Sequence, residues 1–140
     1  MQKSLITHTS KIEVRYAETD AMGIVHHAVY PVWFEQARTE ILRINGIPFN
    51  ELEKLGYGSP VIKLELEYKN PCRYGDFVDV HICVAREDRL RFRFFYKVLV
   101  NDKLSVQGSS QHVFTKNGRA TPHPPEKFMK IFFPENAEWN

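Results

Sequence analysis

Three stretches of this chain alternate apolar and polar residues with a period of two, and that alternation limits the possible folds more than any other feature. Ile62, Leu64, Leu66 and Tyr68 alternate with Lys63, Glu65, Glu67 and Lys69. Val78, Val80, Ile82 and Val84 alternate with Asp79, His81 and Cys83. Leu90, Phe92, Phe94, Tyr96, Val98 and Val100 form the longest run. Successive side chains of a strand point to opposite faces, so each run predicts a strand with one buried face. The connections are short and hold turn residues: Asn70-Pro71, Tyr74-Gly75-Asp76, Arg86–Arg89 and Asn101-Asp102. Short connections make neighbouring strands antiparallel. A less regular strand, roughly Leu104 to Thr115 with Gly108-Ser109-Ser110 at its middle, closes the series at Asn117-Gly118. The Pro-rich tail, Pro122 to Pro125, leads into a short amphipathic segment around Phe128–Phe133.

Ahead of these strands the period changes. Ile12, Val14 and Tyr16 alternate with Lys11, Glu13 and Arg15, which predicts a first strand over Lys11–Ala17. From His27 to Asn45, Val29, Val32, Trp33, Ala37, Ile41 and Ile44 recur at three- and four-residue steps, widened by Tyr30, Phe34 and Leu42. That apolar face predicts a long helix largely enclosed by other structure. Pro31 fits its first turn and Asn45-Gly46 its end. A short second helix is expected between Pro48 and Gly56. One helix can cover one face of a five-stranded sheet, which suits the one-sided alternation. The expectation is an α+β chain: an antiparallel sheet of about five strands and one long helix. At 140 residues it is expected to be a single domain, with its core over about residues 10–120 and a tail over 121–140.

Charge and cysteine content narrow the function classes. Nineteen basic against seventeen acidic side chains leave +2, too little for a nucleic-acid footprint. Cys72 and Cys83 stand apart without a CxxC or a His ladder, so neither a disulfide framework nor a metal site is expected. The first residues lack the apolar run of a signal peptide, and no stretch approaches the roughly twenty apolar residues of a membrane span. The expected location is the cytoplasm.

The chemistry lies between the first strand and the helix. The segment from Tyr16 to Tyr30 carries Glu18, Thr19, Asp20, Gly23, His26 and His27 in a loop that approaches a helix N-terminus. Such a terminus has unsatisfied N–H groups and partial positive charge, and can hold an oxyanion. The Asp20 carboxylate could attack an acyl carbon or take a proton from an attacking water. It could equally be an ordinary cap. Gly23 would let the backbone approach a ligand.

The string Tyr16-x-Glu18-Thr19-Asp20-x-x-Gly23-Ile24-Val25-x-His27-x-x-Tyr30, followed by Phe34-Glu35-x-Ala37-Arg38-Thr39-Glu40, resembles the hotdog-fold 4-hydroxybenzoyl-CoA thioesterase family. It is most similar to the short acyl-CoA thioesterases associated with the Tol-Pal envelope system, as is Glu67-Tyr68-x-x-Pro71-x-x-Tyr74-Gly75-Asp76. The resemblance implies a hotdog fold, a curled antiparallel sheet wrapped around one central helix. It implies hydrolysis of an acyl-CoA substrate to free acid and coenzyme A, with no cofactor beyond the coenzyme A of the substrate. It places the catalytic carboxylate at Asp20, the polarising backbone N–H at His27 and an orienting hydroxyl at Tyr16. Gly23, Ile24 and Val25 would contact substrate. Ser59, Pro60 and Val61 would lie near the acyl pocket across a subunit interface of a homodimer or homotetramer. Met22 departs from the small residue of many relatives; it would narrow the pocket or point away.

Arg89, Arg91 and Arg93 share one parity, opposite Leu90, Phe92 and Phe94. Arg89 and Arg91 could meet coenzyme A phosphates, or belong to a solvated strand face. Two other readings remain open: a non-catalytic acyl-CoA or acyl-carrier-protein binding module, and a dehydratase on the same fold.

Overall fold

The computed structural model describes residues 1–135. Five antiparallel strands form the main sheet: β1 (Gln2–Glu13), β3 (Val61–Tyr68), β4 (Phe77–Arg86), β5 (Arg91–Val100) and β6 (Lys103–Val113), in the order β1-β4-β5-β6-β3. A separate three-stranded ribbon joins β2 (Tyr57–Gly58), β7 (Thr115–Lys116) and β8 (Arg119–Ala120). The helices are α1 (Tyr30–Ile44), α2 (Phe49–Lys54) and α3 (Glu126–Phe132).

The three alternating runs are β3, β4 and β5, each within about two residues of its expected bounds. The first strand differs. It starts at Gln2 rather than Lys11 and pairs with β4 along most of its length, with a register shift between Lys3 and Thr7. Its early residues show no apolar alternation because the buried positions are Ser4 and Ser10. The less regular strand stops at Val113 and resumes as β7. Packing also extends past residue 120: Phe128 and Phe132 of α3 lie in the core with Phe92 and Phe114. Of the expected tail, residues 136–140 lie outside the described residues.

Helix α1 carries Trp33, Phe34, Ala37 and Ile41 into the core, all fully or almost fully buried. Each large side chain of this kind stabilises the fold by roughly 1.5–3 kcal/mol. Phe34 stacks flat on Tyr96 of β5, with ring centroids 3.9 Å apart. Its ring also lies over Gly108 of β6, which faces Tyr96 across the ladder. A Cβ at Gly108 would come 2.4 Å from the Glu65 carbonyl oxygen and 3.2 Å from Phe34. The irregular Gly-Ser-Ser stretch is therefore where a ring of the helix meets the sheet. The expected enclosure is incomplete: Val32 and Ile44 of α1 stand 59% and 54% exposed.

The two edges of the sheet are β1 and β3. Along β3 every residue except Leu66 is exposed. Ile62, Leu64 and Tyr68 have the parity of Leu66, which pairs with Gly108 on the helix face, yet the helix does not cover them.

Candidate active site

A chain of backbone bonds shapes the loop between β1 and α1. After a single 3-10 turn at Tyr16–Glu18, Thr19 and Val25 form an antiparallel bridge. Asp20 N–H donates to Ile24 O at 2.8 Å and Gly23 N–H to Asp20 O at 3.0 Å. Gly23 sits at φ +79°, a conformation glycine adopts without strain, so its immediate role is to close this turn. Val25 N–H donates to Cys72 O at 2.8 Å, which ties the loop to the segment between β3 and β4.

Glu18 is the anchor, and nothing in the sequence pattern singled it out from its polar neighbours. It is 6% exposed. Its Oε1 accepts from the Arg15 N–H at 2.8 Å and its Oε2 from the Trp33 indole N–H at 3.0 Å. A buried carboxylate held this way positions the loop against the helix.

Asp20 uses one oxygen locally: Oδ1 accepts the Met22 N–H at 2.8 Å. The carboxylate thus caps its own turn, as an ordinary loop Asp would. Among the described residues its Oδ2 has no hydrogen-bond partner. His27 lies in the turn that precedes α1, since the helix starts at Tyr30, three residues later than expected. Its carbonyl accepts from Tyr68 Oη at 2.9 Å, and its ring stacks on His26 with centroids 4.2 Å apart. Neighbouring N–H groups are engaged: His26 with Glu18 O, Ala28 with His26 Nδ1, Val29 with His26 O. Among the described residues the His27 N–H alone of these four is unbonded.

Asp20 and His27 share one cavity of about 380 Å³, together with Ile24, Val25, Tyr30, Tyr68 and the segment Lys69–Pro71. Burial, reinforced by a hydrogen bond with Cys72, pushes the Tyr30 phenol up, so it remains a neutral hydroxyl. Tyr30 closes the loop motif itself, whereas Tyr68 is a wall residue from outside it, signalled by the Glu67-Tyr68-x-x-Pro71 string. Tyr16 stands elsewhere. It is 76% exposed and packs edge-to-face on Tyr74, with centroids 5.6 Å apart. Met22 is also exposed and points away.

The remaining candidates lie at the other end of the sheet. Ser59 lines a second cavity of about 330 Å³ with Arg38 and His112, while Pro60 and Val61 are exposed at the start of the β3 edge. Arg89 sits in the β4–β5 turn, and Arg91 opens β5 there and pairs with Asp88 at 2.9 Å. Strand β4 separates that turn from the Asp20 region, and ten residues at about 3.3 Å each span roughly 30 Å. One chain does not bring these arginines to Asp20.

His112 gives a testable pH dependence. Burial lowers its imidazole to about 4. The folded state binds its proton less tightly than the unfolded state, so this contribution is whole above about pH 6.5 and is lost as pH falls towards 4. Between pH 7.5 and 5 the loss is about 2 kcal/mol, at 1.36 kcal/mol per pKa unit. Unfolding free energies from urea titrations at the two pH values are expected to fall by that amount more for wild type than for His112→Gln. Parallel losses would show that His112 does not carry the effect.

The family model for the thioesterase-like superfamily matches residues 14–132. The chain belongs to the thioesterase-like superfamily. The Bacillus subtilis protein YneP, named as a candidate acyl-CoA thioesterase, is 41% identical over 111 residues, covering 76% of this chain and 79% of its own length. The Escherichia coli acyl-CoA thioester hydrolase YbgC is 36% identical over 69 residues, 49% of this chain and 52% of its own. The crystal structure of the Staphylococcus aureus DHNA-CoA thioesterase superposes with a TM-score of 0.79 at 32% identity, covering 96% of this chain and 89% of that one. The α+β architecture is thus the hotdog-like thioesterase fold. Beyond the expected five strands, long helix and short second helix α2, this chain adds the ribbon, and α3 forms where a short amphipathic segment is expected.

Proposed function

We propose that the protein hydrolyses acyl-CoA thioesters to a free acid and coenzyme A in the cavity at Asp20. The observation that carries this reading is the presence in one cavity of an unbonded N–H, that of His27, and of a carboxylate oxygen, Asp20 Oδ2, that has no hydrogen-bond partner among the described residues. As the carbonyl carbon becomes tetrahedral, its oxygen gains negative charge, and a fixed backbone donor stabilises it. Asp20 either attacks the carbon, forming an anhydride that water then opens, or takes a proton from the attacking water. In both cases the C–S bond breaks and the thiolate leaves with coenzyme A. The His27 imidazole would position water or Asp20. The Tyr16 role requires its exposed ring to turn from Tyr74. Gly23, Ile24 and Val25 would flank the reacting group. The reading needs no cofactor, and it places the chain in the acyl-CoA branch linked to Tol-Pal.

The reading includes a dimer. Edge β3 leaves Ile62, Leu64 and Tyr68 exposed on its helix face, and an open edge of this kind recruits a further strand. Antiparallel pairing of two β3 strands about Leu64 sets Lys63 of one copy opposite Glu65 of the other, and Ile62 opposite Leu66. Such opposite-charge and apolar pairs stabilise a ladder. The same register sets Pro60 opposite Tyr68, so Ser59–Val61 of one copy adjoins the Asp20 cavity of the other. Two dimers could meet back to back over Phe95 and Leu99, half-buried on the outer face, to give a tetramer. A cytoplasmic setting fits the two free cysteines. No helix of the described residues is long and apolar enough to cross a membrane.

The rival is a binding module, and it draws on the capping role of Asp20 Oδ1. A thiol reagent decides between them. With a panel of short, medium and aromatic acyl-CoA thioesters, steady thiol release above the uncatalysed rate is expected for at least one member. Binding without release for every member would favour the module.

A further inference from the structure

Pro31 leaves a gap at the start of α1, and a side chain from another strand fills it. In an unbroken helix the carbonyl of His27 would accept the N–H of the residue four positions on. That residue is Pro31, which has no N–H. Among the described residues the His27 carbonyl accepts instead from Tyr68 Oη, at 2.9 Å, and from no backbone N–H. Tyr68 reaches it from the β3 edge, with its ring packed edge-to-face on Tyr30 and the centroids 5.7 Å apart.

The bond matters because of the peptide it holds. On the N-terminal side, His26 O accepts the Val29 N–H at 2.9 Å, and the His26 N–H donates to Glu18 O at 2.9 Å. Across a planar trans peptide the N–H points opposite to the C=O. With the His26 carbonyl turned towards Val29, the His27 N–H is therefore directed away from the helix. The next peptide along begins with the His27 carbonyl, and Tyr68 is what holds it. The two sides together fix the backbone on both flanks of the unbonded N–H. The Tyr68 hydroxyl has a single proton, and the His27 carbonyl takes it. Tyr68 therefore acts on the reaction through His27 rather than by donating to substrate.

We propose that Tyr68 is a positioning residue: its hydroxyl stands in for the N–H missing at Pro31 and sets the aim of the His27 donor. The inference rests on the thioesterase reading and deepens it. It makes the oxyanion donor depend on a residue of β3, the edge strand that the proposed dimer uses. A donor that stabilises developing charge works only where that charge appears, and a displacement of about 1 Å is enough to weaken it.

The test compares wild type, Tyr68→Phe, and Tyr68→Phe combined with Pro31→Ala, with an acyl-CoA that wild type cleaves. Tyr68→Phe keeps the ring and its contact with Tyr30 and removes only the hydroxyl. It is expected to lower kcat about tenfold or more and to change KM less than about threefold, the pattern of an interaction lost in the transition state. Pro31→Ala returns a backbone N–H at the helix position that serves the His27 carbonyl, and is expected to recover kcat by about threefold or more. A simple packing defect would not be relieved in this way. A kcat for Tyr68→Phe within about threefold of wild type, or a loss confined to KM, overturns the inference. So does a loss that Pro31→Ala leaves unrelieved, because it gives the hydroxyl itself a direct part. Amide hydrogen exchange reads the same bond without substrate. In Tyr68→Phe the His26 and Val29 amides are expected to exchange at least about fivefold faster, with those of β4 and β5 unchanged. Unchanged rates at His26 and Val29 overturn the inference. If no thioester is cleaved, the thioesterase reading falls separately, and the exchange rates decide whether Tyr68 sets the turn; they decide also where the double variant does not fold.

Discussion

Asp20→Asn is expected to leave the fold intact and lower kcat by at least about 100-fold, the low end for a positioned acid–base group. The geometry makes this substitution unusually clean. Asp20 Oδ1 accepts the Met22 N–H, and an asparagine carbonyl can accept it in the same place. The turn that ends at Gly23 should therefore survive, and the change falls on the charge and on Oδ2. Thiol release measures the loss, and an unchanged thermal midpoint shows that the loop is retained. Turnover within about threefold of wild type would remove Asp20 from the chemistry. Asp20→Glu is the companion: its extra methylene displaces the carboxylate by about 1 Å, enough to cost a positioned group much of its rate.

The second large effect concerns the β3 edge. Leu64→Lys is expected to leave a folded monomer with less than about 1% of wild-type activity. At the proposed twofold it sets two lysines side by side, and like charges opposite one another destabilise a ladder. Light scattering would report a mass near 16.4 kDa. A monomer of that mass with full activity would sink the shared site, as would a wild type that is itself an active monomer. A mixing experiment is sharper still. Chains carrying Asp20→Asn, refolded together with chains carrying Val61→Trp, should recover about a quarter of wild-type sites, since half the dimers are mixed and each has one intact site. A site confined to one chain gives no recovery.

Legibility followed the physics of each element. Strands β3, β4 and β5 were readable because one face is apolar and the other polar, and α1 because Trp33, Ala37 and Ile41 share a stripe. The first half of β1 was not, because its buried positions are serines. The two-residue strands carry too few positions for a period to show. At the site, Asp20, Ile24, Val25 and His27 could be grouped from one continuous segment and do share a cavity. Tyr68 comes from a distant strand, and Glu18 is set apart only by burial, which no local pattern encodes. Arg89 and Arg91 have the right chemistry at the wrong end of β4.

Arg38 Nη1 donates to Tyr96 Oη at 2.9 Å, Tyr96 Oη lies 2.5 Å from Ser110 Oγ, Ser110 Oγ 2.7 Å from His112 Nε2, and His112 Nδ1 3.0 Å from the Ser59 carbonyl oxygen, an array whose ends decide where protons can travel. A relay passes a proton only if its first member can release one and its last can take one up. Here the first is a guanidinium that stays charged and the last is an amide carbonyl. The array is an insulator, polarised in one direction and closed at both ends. Ser110 and His112, though a hydroxyl beside an imidazole, are therefore no nucleophile and base. Under the proposed reaction, acid–base traffic falls to the mouth of the loop at Asp20, at the other end of the sheet.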